Sequence, residues 1–338
     1  MNRRRFLKLS AGVAASARAG TLRARREPEP QVMTVLGPVA ARRLGRVLMH
    51  EHVLVDFIGA DRIEPGRYDP DEVFAKALPF LEKLKAAGCG ALVDCTPAFL
   101  GRDPALLARL ARTSGLHLIT NCGFYGAAAD KFVPALAYRE SVDDLALRWA
   151  RDFEDGIPPD TIRPGIMKIG VDAGPLSEID AKLVRAAARC HRRTGLAIAS
   201  HTGDGTAALA QLDILQAENV DPSAFIWVRA QSEKDASVHE RAARLGAWVE
   251  FDGISAETTA EHAELVLRMK HARLLHRVLI SQDAGWYHVG EPGGGQFRAY
   301  DGLFTDFLPA LRKAGATTKD LQTLLIENPR QALALRPT

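Results

Sequence analysis

Eight short apolar runs of strand type recur between residues 45 and 283, separated by amphipathic helical stretches, and this alternation limits the possible folds more than any other feature. The runs are VLMHEH (47–52), ALVDCT (91–96), HLITNC (117–122), IMKIGV (166–171), LAIASH (196–201), AFIWVR (224–229), AWVEFD (247–252) and VLISQD (278–283). Between them, DEVFAKALPFLEKLKAAG opens on acids and stops on Gly88, and DAKLVRAAARCHRRTG stops on Gly195, as helices do. Strands separated by helices require a parallel sheet covered by helices, because only crossovers can join parallel strands. Eight such units over about 290 residues predict an α/β chain closed into a (β/α)8 barrel. A doubly wound open sheet would carry a GxGxxG turn after its first strand, and none follows.

A barrel of this kind places its chemistry at the C-terminal ends of the strands. Those ends carry, in order, His50 and His52, Asp94, Asn121, Lys168, His201, Arg229 and Gln231, Asp252, and Asp283. His50 and His52 stand one residue apart on a strand, so the period of two turns both imidazoles to one side and Glu51 to the other. Two neighbouring imidazoles are half of a divalent metal site, and His201 and Asp283 end other strands of the same barrel. Lys168 has two readings, an anion-binding lysine or an amine that has taken up carbon dioxide and bridges metals as a carbamate. FIWVRAQ (225–231) runs four apolar residues into Arg229, and a cation at the end of a buried strand requires a negative partner.

Composition matters at the N-terminus. Residues 1–26 hold eight basic residues and no acid, so the net charge of +3 hides a net acidic remainder with no nucleic-acid-binding character. NRRRFLKLSAGVAASARAG has the twin arginines Arg3 and Arg4, a mildly apolar stretch and Ala17-Arg18-Ala19 as a cleavage site, and is similar to a twin-arginine export signal. Residues 1–30 are therefore expected to be a signal and linker, directing the protein to the periplasm or outside the cell, with the barrel over 31–338; the alternative is a basic tail on a cytoplasmic protein. No run of about 20 apolar residues is present to span a membrane. Cys89, Cys95, Cys122 and Cys190 lack CxxC spacing and are expected as buried thiols.

The pattern resembles the phosphotriesterase family of the amidohydrolase superfamily. The resemblance rests on LGRVLMHEHVLVDF (44–57), VDCTPAFLGRDPALLARLARTSGLHLITNCGFY (93–125), GIMKIGVD (165–172), GLAIASHTG (195–203), FDGI (251–254), ISQDAGW (280–286) and LLIENPRQALA (324–334). It covers about residues 32–335 and implies a barrel with a binuclear metal centre, usually zinc, that activates a hydroxide. By that likeness His50, His52 and Asp283 hold the more buried ion, a carboxylated Lys168 bridges, His201 binds the more exposed ion, and Asp283 also takes the proton. A homodimer is implied as well.

The departure lies at strand six, where the family pattern has a second histidine for the exposed ion and this chain has Arg229, or Gln231 in a register shifted by two. A cation at a cation's ligand position weakens that site, so the exposed ion is expected to bind weakly or not at all, giving one or two ions per chain. Arg229 is then expected to meet the carbamate or a substrate oxygen and partly to replace the second ion. Its alternative partners are Glu233 and Asp252. Tyr125 stands where family members with lactonase activity resemble it, which favours lactones or carboxylic esters over phosphotriesters. Trp286 and His288, in the Gly- and aromatic-rich loop after strand eight, are expected to contact substrate. The alternative to an enzyme is a degenerate barrel that binds a small anion through Arg229 and a residual single-metal site.

Overall fold

The computed structural model describes residues 29–336, so the expected twin-arginine signal falls outside the described residues apart from its last two positions. The described chain opens with an antiparallel hairpin, β1 (Gln31–Thr34) and β2 (Gly37–Ala40). The strands that follow are β3 (Arg46–Val55), β4 (Cys89–Asp94), β5 (His117–Ile119), β6 (Asn121–Cys122), β7 (Ile166–Val171), β8 (Ala197–Thr202), β9 (Phe225–Val228), β10 (Trp248–Phe251), β11 (Val278–Ile280) and β12 (Gly285–His288). All of their pairings are parallel. One run joins β6 to β11 through β7, β8, β9 and β10, and the other joins β12, β3, β4 and β5. The chain passes between the two runs at Thr120 and again across 281–284, so they form one closed (β/α)8 barrel, the predicted fold.

Helices α1 (Pro70–Ala86), α2 (Pro104–Ser114), α3 (Ala135–Arg139), α4 (Val142–Glu154), α5 (Glu178–Thr194), α6 (Gly205–Ala217), α7 (Ala236–Leu245) and α8 (Thr259–His271) cross back over the outside. Their ends follow local chemistry. Asp69, Asp103, Ser177 and Asp204 each cap an N-terminus with a side-chain oxygen, and α5 ends on Gly195 in the left-handed conformation, as its sequence predicts. Outward residues such as Leu92, Met167, Ile169, Trp227 and Phe251 pack under these helices. Inward residues, among them Val47, Met49, Ala91, Val93, Ile119, Ile166, Ala199, Ile226, Val228, Trp248 and Leu279, fill the barrel. The four cysteines are buried free thiols, as expected.

The seam between β3 and the last barrel strand, made of β11, the 281–284 segment and β12, closes the barrel. Glu51 is fully buried there and accepts from Ser281 Oγ at 2.7 Å, Gln282 N–H at 3.1 Å and Ala284 N–H at 2.6 Å. Asp283 N–H donates to the His50 carbonyl at 3.1 Å and His52 N–H to the Ala284 carbonyl at 2.9 Å. Gly285 follows with φ +96°, and a Cβ there would meet the His52 carbonyl oxygen at 1.8 Å and the Tyr300 hydroxyl at 2.5 Å. Gly285→Ala adds left-handed strain to a backbone clash and should destabilise the fold by about 2–4 kcal/mol, read from the midpoint of denaturant unfolding.

Candidate metal centre

The barrel mouth collects its polar groups from the strand ends. Val47 and Met49 face the barrel interior, so strict alternation along β3 would turn His50 and His52 outward, toward the helices. A register irregularity between Leu48 and Glu51, where β3 pairs with β4, changes the phase and brings both imidazoles into the mouth. His50 Nε2 and His52 Nε2 lie 3.2 Å apart, and Asp283 Oδ1 lies 3.1 Å from His52 Nε2 and 3.8 Å from His50 Nε2. Ligand atoms of these three residues all fall within 4.8 Å of one another.

The other ring nitrogens are held. His50 Nδ1 faces Asp252 Oδ2 at 2.8 Å and His52 Nδ1 meets Thr96 Oγ1 at 2.8 Å. Asp252 is itself fixed by Gln231 Nε2 at 2.6 Å and by the Arg229 N–H at 3.1 Å, and its own N–H donates to Gln231 Oε1 at 3.2 Å. Burial works to raise the Asp252 carboxyl, but the His50 ring and the Gln231 bond hold it below the usual range. An ionised Asp252 keeps the proton of His50 on Nδ1, which leaves a lone pair on Nε2. Burial, with Lys168 nearby, pushes the His50 imidazole down, so it is neutral as a metal ligand must be. At Asp283 burial works upward, yet the His52 ring 3.1 Å away, with His50 and Lys168 beside it, holds the carboxyl low.

This donor set fits a divalent cation. A carboxylate oxygen and imidazole lone pairs converge with no donor between them, an arrangement that a positive ion relieves. Lys168 enters from β7 beside them, 1% exposed, and its Nζ has no hydrogen-bond partner among the described residues. His201, from β8, lines the same cavity but stands outside the 4.8 Å set. Its imidazole is pushed down to about 3, by burial first and then by Lys168 and Arg229. Glu250, one inward step below Asp252, is pushed well above the usual carboxylate range by burial and by the charge of Asp252, so its protonated form competes poorly for a cation.

Strand six differs from its expectation. β9 ends at Val228, one residue early, and Arg229 takes φ 66° and ψ 33° in the left-handed region. Ile226 and Val228 face inward, so a continuing strand would have carried Arg229 toward the helices. The left-handed turn brings it to the cavity wall instead, with an exposed side chain, so the burial that demanded a negative partner does not arise. Its guanidinium donates through Nε to Ser232 Oγ at 3.0 Å and forms no ion pair with Glu233 or Asp252; only its backbone meets Asp252. Gln231 turns to Asp252, so of the two registers Arg229 is the one that reaches the cavity.

The cavity holds about 340 Å³, with His50, His52, Lys168, His201 and Asp283 at its base. Tyr125 and Trp286 line it as expected, and Phe57, Leu100 and Phe132 complete an apolar wall. His288 does not line it; its ring stands 5.8 Å from Phe57 and 5.8 Å from Trp286, with Nδ1 3.8 Å from Glu291. A larger groove of about 750 Å³ lies outside the barrel between α8 and the helix Leu308–Lys313, but no metal-binding set converges there among the described residues. Sequence reasoning passed over Thr96, Phe57 and Phe132. Each stands on a segment that follows a strand at the mouth end, and that position was the available signal.

Comparison with known proteins agrees with this fold. The phosphotriesterase family model matches residues 30–333. A phosphotriesterase homology protein from Escherichia coli is 29% identical, covering 85% of this chain and 97% of its own. An organophosphorus hydrolase from Deinococcus radiodurans superposes with a TM-score of 0.80 at 26% identity, over 91% of this chain and 98% of its own. A weak promiscuous lactonase, used as a template for engineering organophosphate hydrolysis, gives a TM-score of 0.81 at 26% identity, over 90% of this chain and all of its own. The chain belongs to the phosphotriesterase family of divalent-metal-dependent hydrolases.

Proposed function

We propose that this barrel hydrolyses a lactone or another small carboxylic ester at its C-terminal mouth. The observation that carries the reading is the convergence of His50, His52 and Asp283 at the base of an apolar cavity, beside a buried Lys168 amine with no hydrogen-bond partner among the described residues. His50, His52, Asp283 and Lys168 would hold a divalent ion, zinc by the chemistry of the donor set, with His201 available to a second. When bound, the ion lowers the pKa of water toward about 7 and polarises the electrophilic oxygen of the substrate. Lys168 Nζ, once neutral, adds carbon dioxide and releases a proton, which turns an orphaned amine into an anionic oxygen ligand.

Asp283 is the proton acceptor for the attacking water, because its carboxyl is held in the ionised form and reaches the cavity. Asp252, Gln231 and Thr96 fix the His50 and His52 rings so that their free nitrogens face inward. Arg229 offers its guanidinium to a substrate oxygen and so supplies part of the positive charge that a second ion would bring. Tyr125 and Trp286 flank the scissile group, and the Phe57, Leu100 and Phe132 wall excludes water from the organic part of the substrate. The aromatic and aliphatic wall suits an uncharged ester or lactone, and Tyr125, which stands where family members with lactonase activity resemble it, favours the same class over phosphotriesters. Residues 1–30 would carry the folded protein through a twin-arginine export route, and the active form would be a homodimer.

A second reading keeps the barrel without the chemistry, as a binding site for a small anion at Arg229. The guanidinium favours it, since it lines the cavity with Ser232 Oγ as its only side-chain partner among the described residues. Screening the metal-loaded protein against lactones, aryl esters and phosphotriesters separates the two, and turnover of none of them would favour the binder.

Asp283→Ala should lower kcat/KM on the best ester by about 10²–10⁴-fold, and Lys168→Ala should lower both activity and metal content; unchanged activity in both would place the catalyst elsewhere. Metal analysis of the wild type should give about one ion per chain, rising in Arg229→His as an imidazole returns to strand six. Gln231→Ala removes the clamp on Asp252 and should weaken metal affinity about 10–100-fold by competitive chelation, with little change in folding.

A further inference from the structure

One wall of the cavity rests on a segment held in a conformation its residues disfavour. Ala128, Ala129 and Asp130 follow one another with φ of 64°, 54° and 60°, three consecutive residues in the left-handed region and none of them glycine. Left-handed residues persist in series only where surrounding structure imposes them. Here the imposing group is Asp172, the residue after β7. Its Oδ1 accepts the Ala128 N–H and its Oδ2 the Ala129 N–H, each at 2.9 Å, so the two oxygens fill the concave face that successive backbone N–H groups present.

The rest of the segment is stitched around that contact. Gly126 N–H donates to the Gly170 carbonyl at 3.0 Å, Tyr125 bridges both Gly170 and Phe132, and Ala60 N–H donates to the Lys131 carbonyl at 3.0 Å. The Phe132 ring consequently stands 6.1 Å from Tyr125 and 6.1 Å from Phe57, closing the apolar side of the cavity. Ala128 lines the cavity as well, whereas Asp172 itself does not.

We propose that Asp172 is a positioning residue for substrate selection: by holding the 126–132 segment in its left-handed turn it sets where Ala128 and Phe132 stand, and so how large an organic group the cavity admits. The inference rests on the reading of this cavity as the substrate pocket. Because the turn and the metal ligands occupy different elements, loosening the turn changes fit to the substrate without disturbing the ligand set. Asp172 acts through Phe132 and Ala128, which makes it a determinant of KM rather than of the chemical step.

The test uses the metal-loaded full chain as wild type, Asp172→Ala and Asp172→Asn. Hydrogen exchange at the Ala128 and Ala129 amides should be about tenfold faster in Asp172→Ala and intermediate in Asp172→Asn, which keeps one carbonyl acceptor, while β7 and β8 amides and metal content stay as they were. Discrimination between phenyl acetate and phenyl octanoate should fall by about fivefold in Asp172→Ala through KM, with kcat on the acetate within about twofold. If wild type turns over neither ester and no lactone, the reading of the site as an esterase fails. The wall is then judged by the ratio of the two esters' Kd values for the metal-free protein, followed through intrinsic tryptophan fluorescence, and the same fall supports the proposal. Unaltered exchange in Asp172→Ala would overturn it, as would faster exchange with an unaltered preference in KM and Kd.

Discussion

A single buried carboxylate ties the two ends of the barrel together. Glu51 points away from the imidazoles on either side of it, His50 and His52, into the seam with the last barrel strand, and receives one hydroxyl and two backbone N–H groups from the 281–284 segment. Burial raises its carboxyl, which the three hydrogen bonds partly offset, leaving it pushed up to about 8. Hydrogen bonds of this kind stabilise by about 0.5–1.5 kcal/mol each, and unmaking them in a fully buried site would leave the donors without solvent. Two of the donors flank Asp283, so the contact that closes the barrel also places the carboxylate that joins His50 and His52.

The centre is built outward from that seam in two layers. Nitrogens that face the cavity are free, and those that face away are held by Asp252 and Thr96. Asp252 is the hub of the outer layer, because it meets His50, Gln231 and the Arg229 backbone together. Arg229 and Asp283 both adopt positive φ without being glycine, at 66° and 52°. Such residues collect at functional sites, where the surrounding structure can hold a conformation costing about 1–3 kcal/mol. At Arg229 the unusual backbone has two consequences: an N–H aimed at Asp252 and a guanidinium delivered to the cavity.

Much of the fold and part of the centre were legible in the sequence. The alternation of strand and helix marked every stave of the barrel, and the strand ends named His50, His52, Lys168, His201 and Asp283, which the structure gathers round one cavity. They were legible because a strand's side chains repeat every two residues and a barrel's strand ends share one rim. Less was legible at Arg229, where the chain leaves the strand one residue before its apolar run suggests. His288 was misplaced for a related reason: composition marks its loop as part of the mouth but cannot say which residues form the inner layer. Phe57 and Phe132 went unnoticed because an aromatic residue in a loop looks alike whether it walls a pocket or covers a core.

By itself the sequence determined the class of fold, the rim on which the chemistry stands and the residue types able to hold a cation there, since these follow from periodicity and from the ligand chemistry of His, Asp and Lys. Only the tertiary structure decided which way those residues point. The irregularity in β3 turned His50 and His52 inward against the alternation set by Val47 and Met49, and the left-handed turn at Arg229 moved its charge from a buried strand end to the cavity wall. Both are backbone departures from regular geometry, and they are stabilised by contacts with residues distant in sequence, Asp283 with His50 and Asp252 with Arg229. Local sequence carries the regular period; the exceptions to it are set by partners that meet only when the barrel closes.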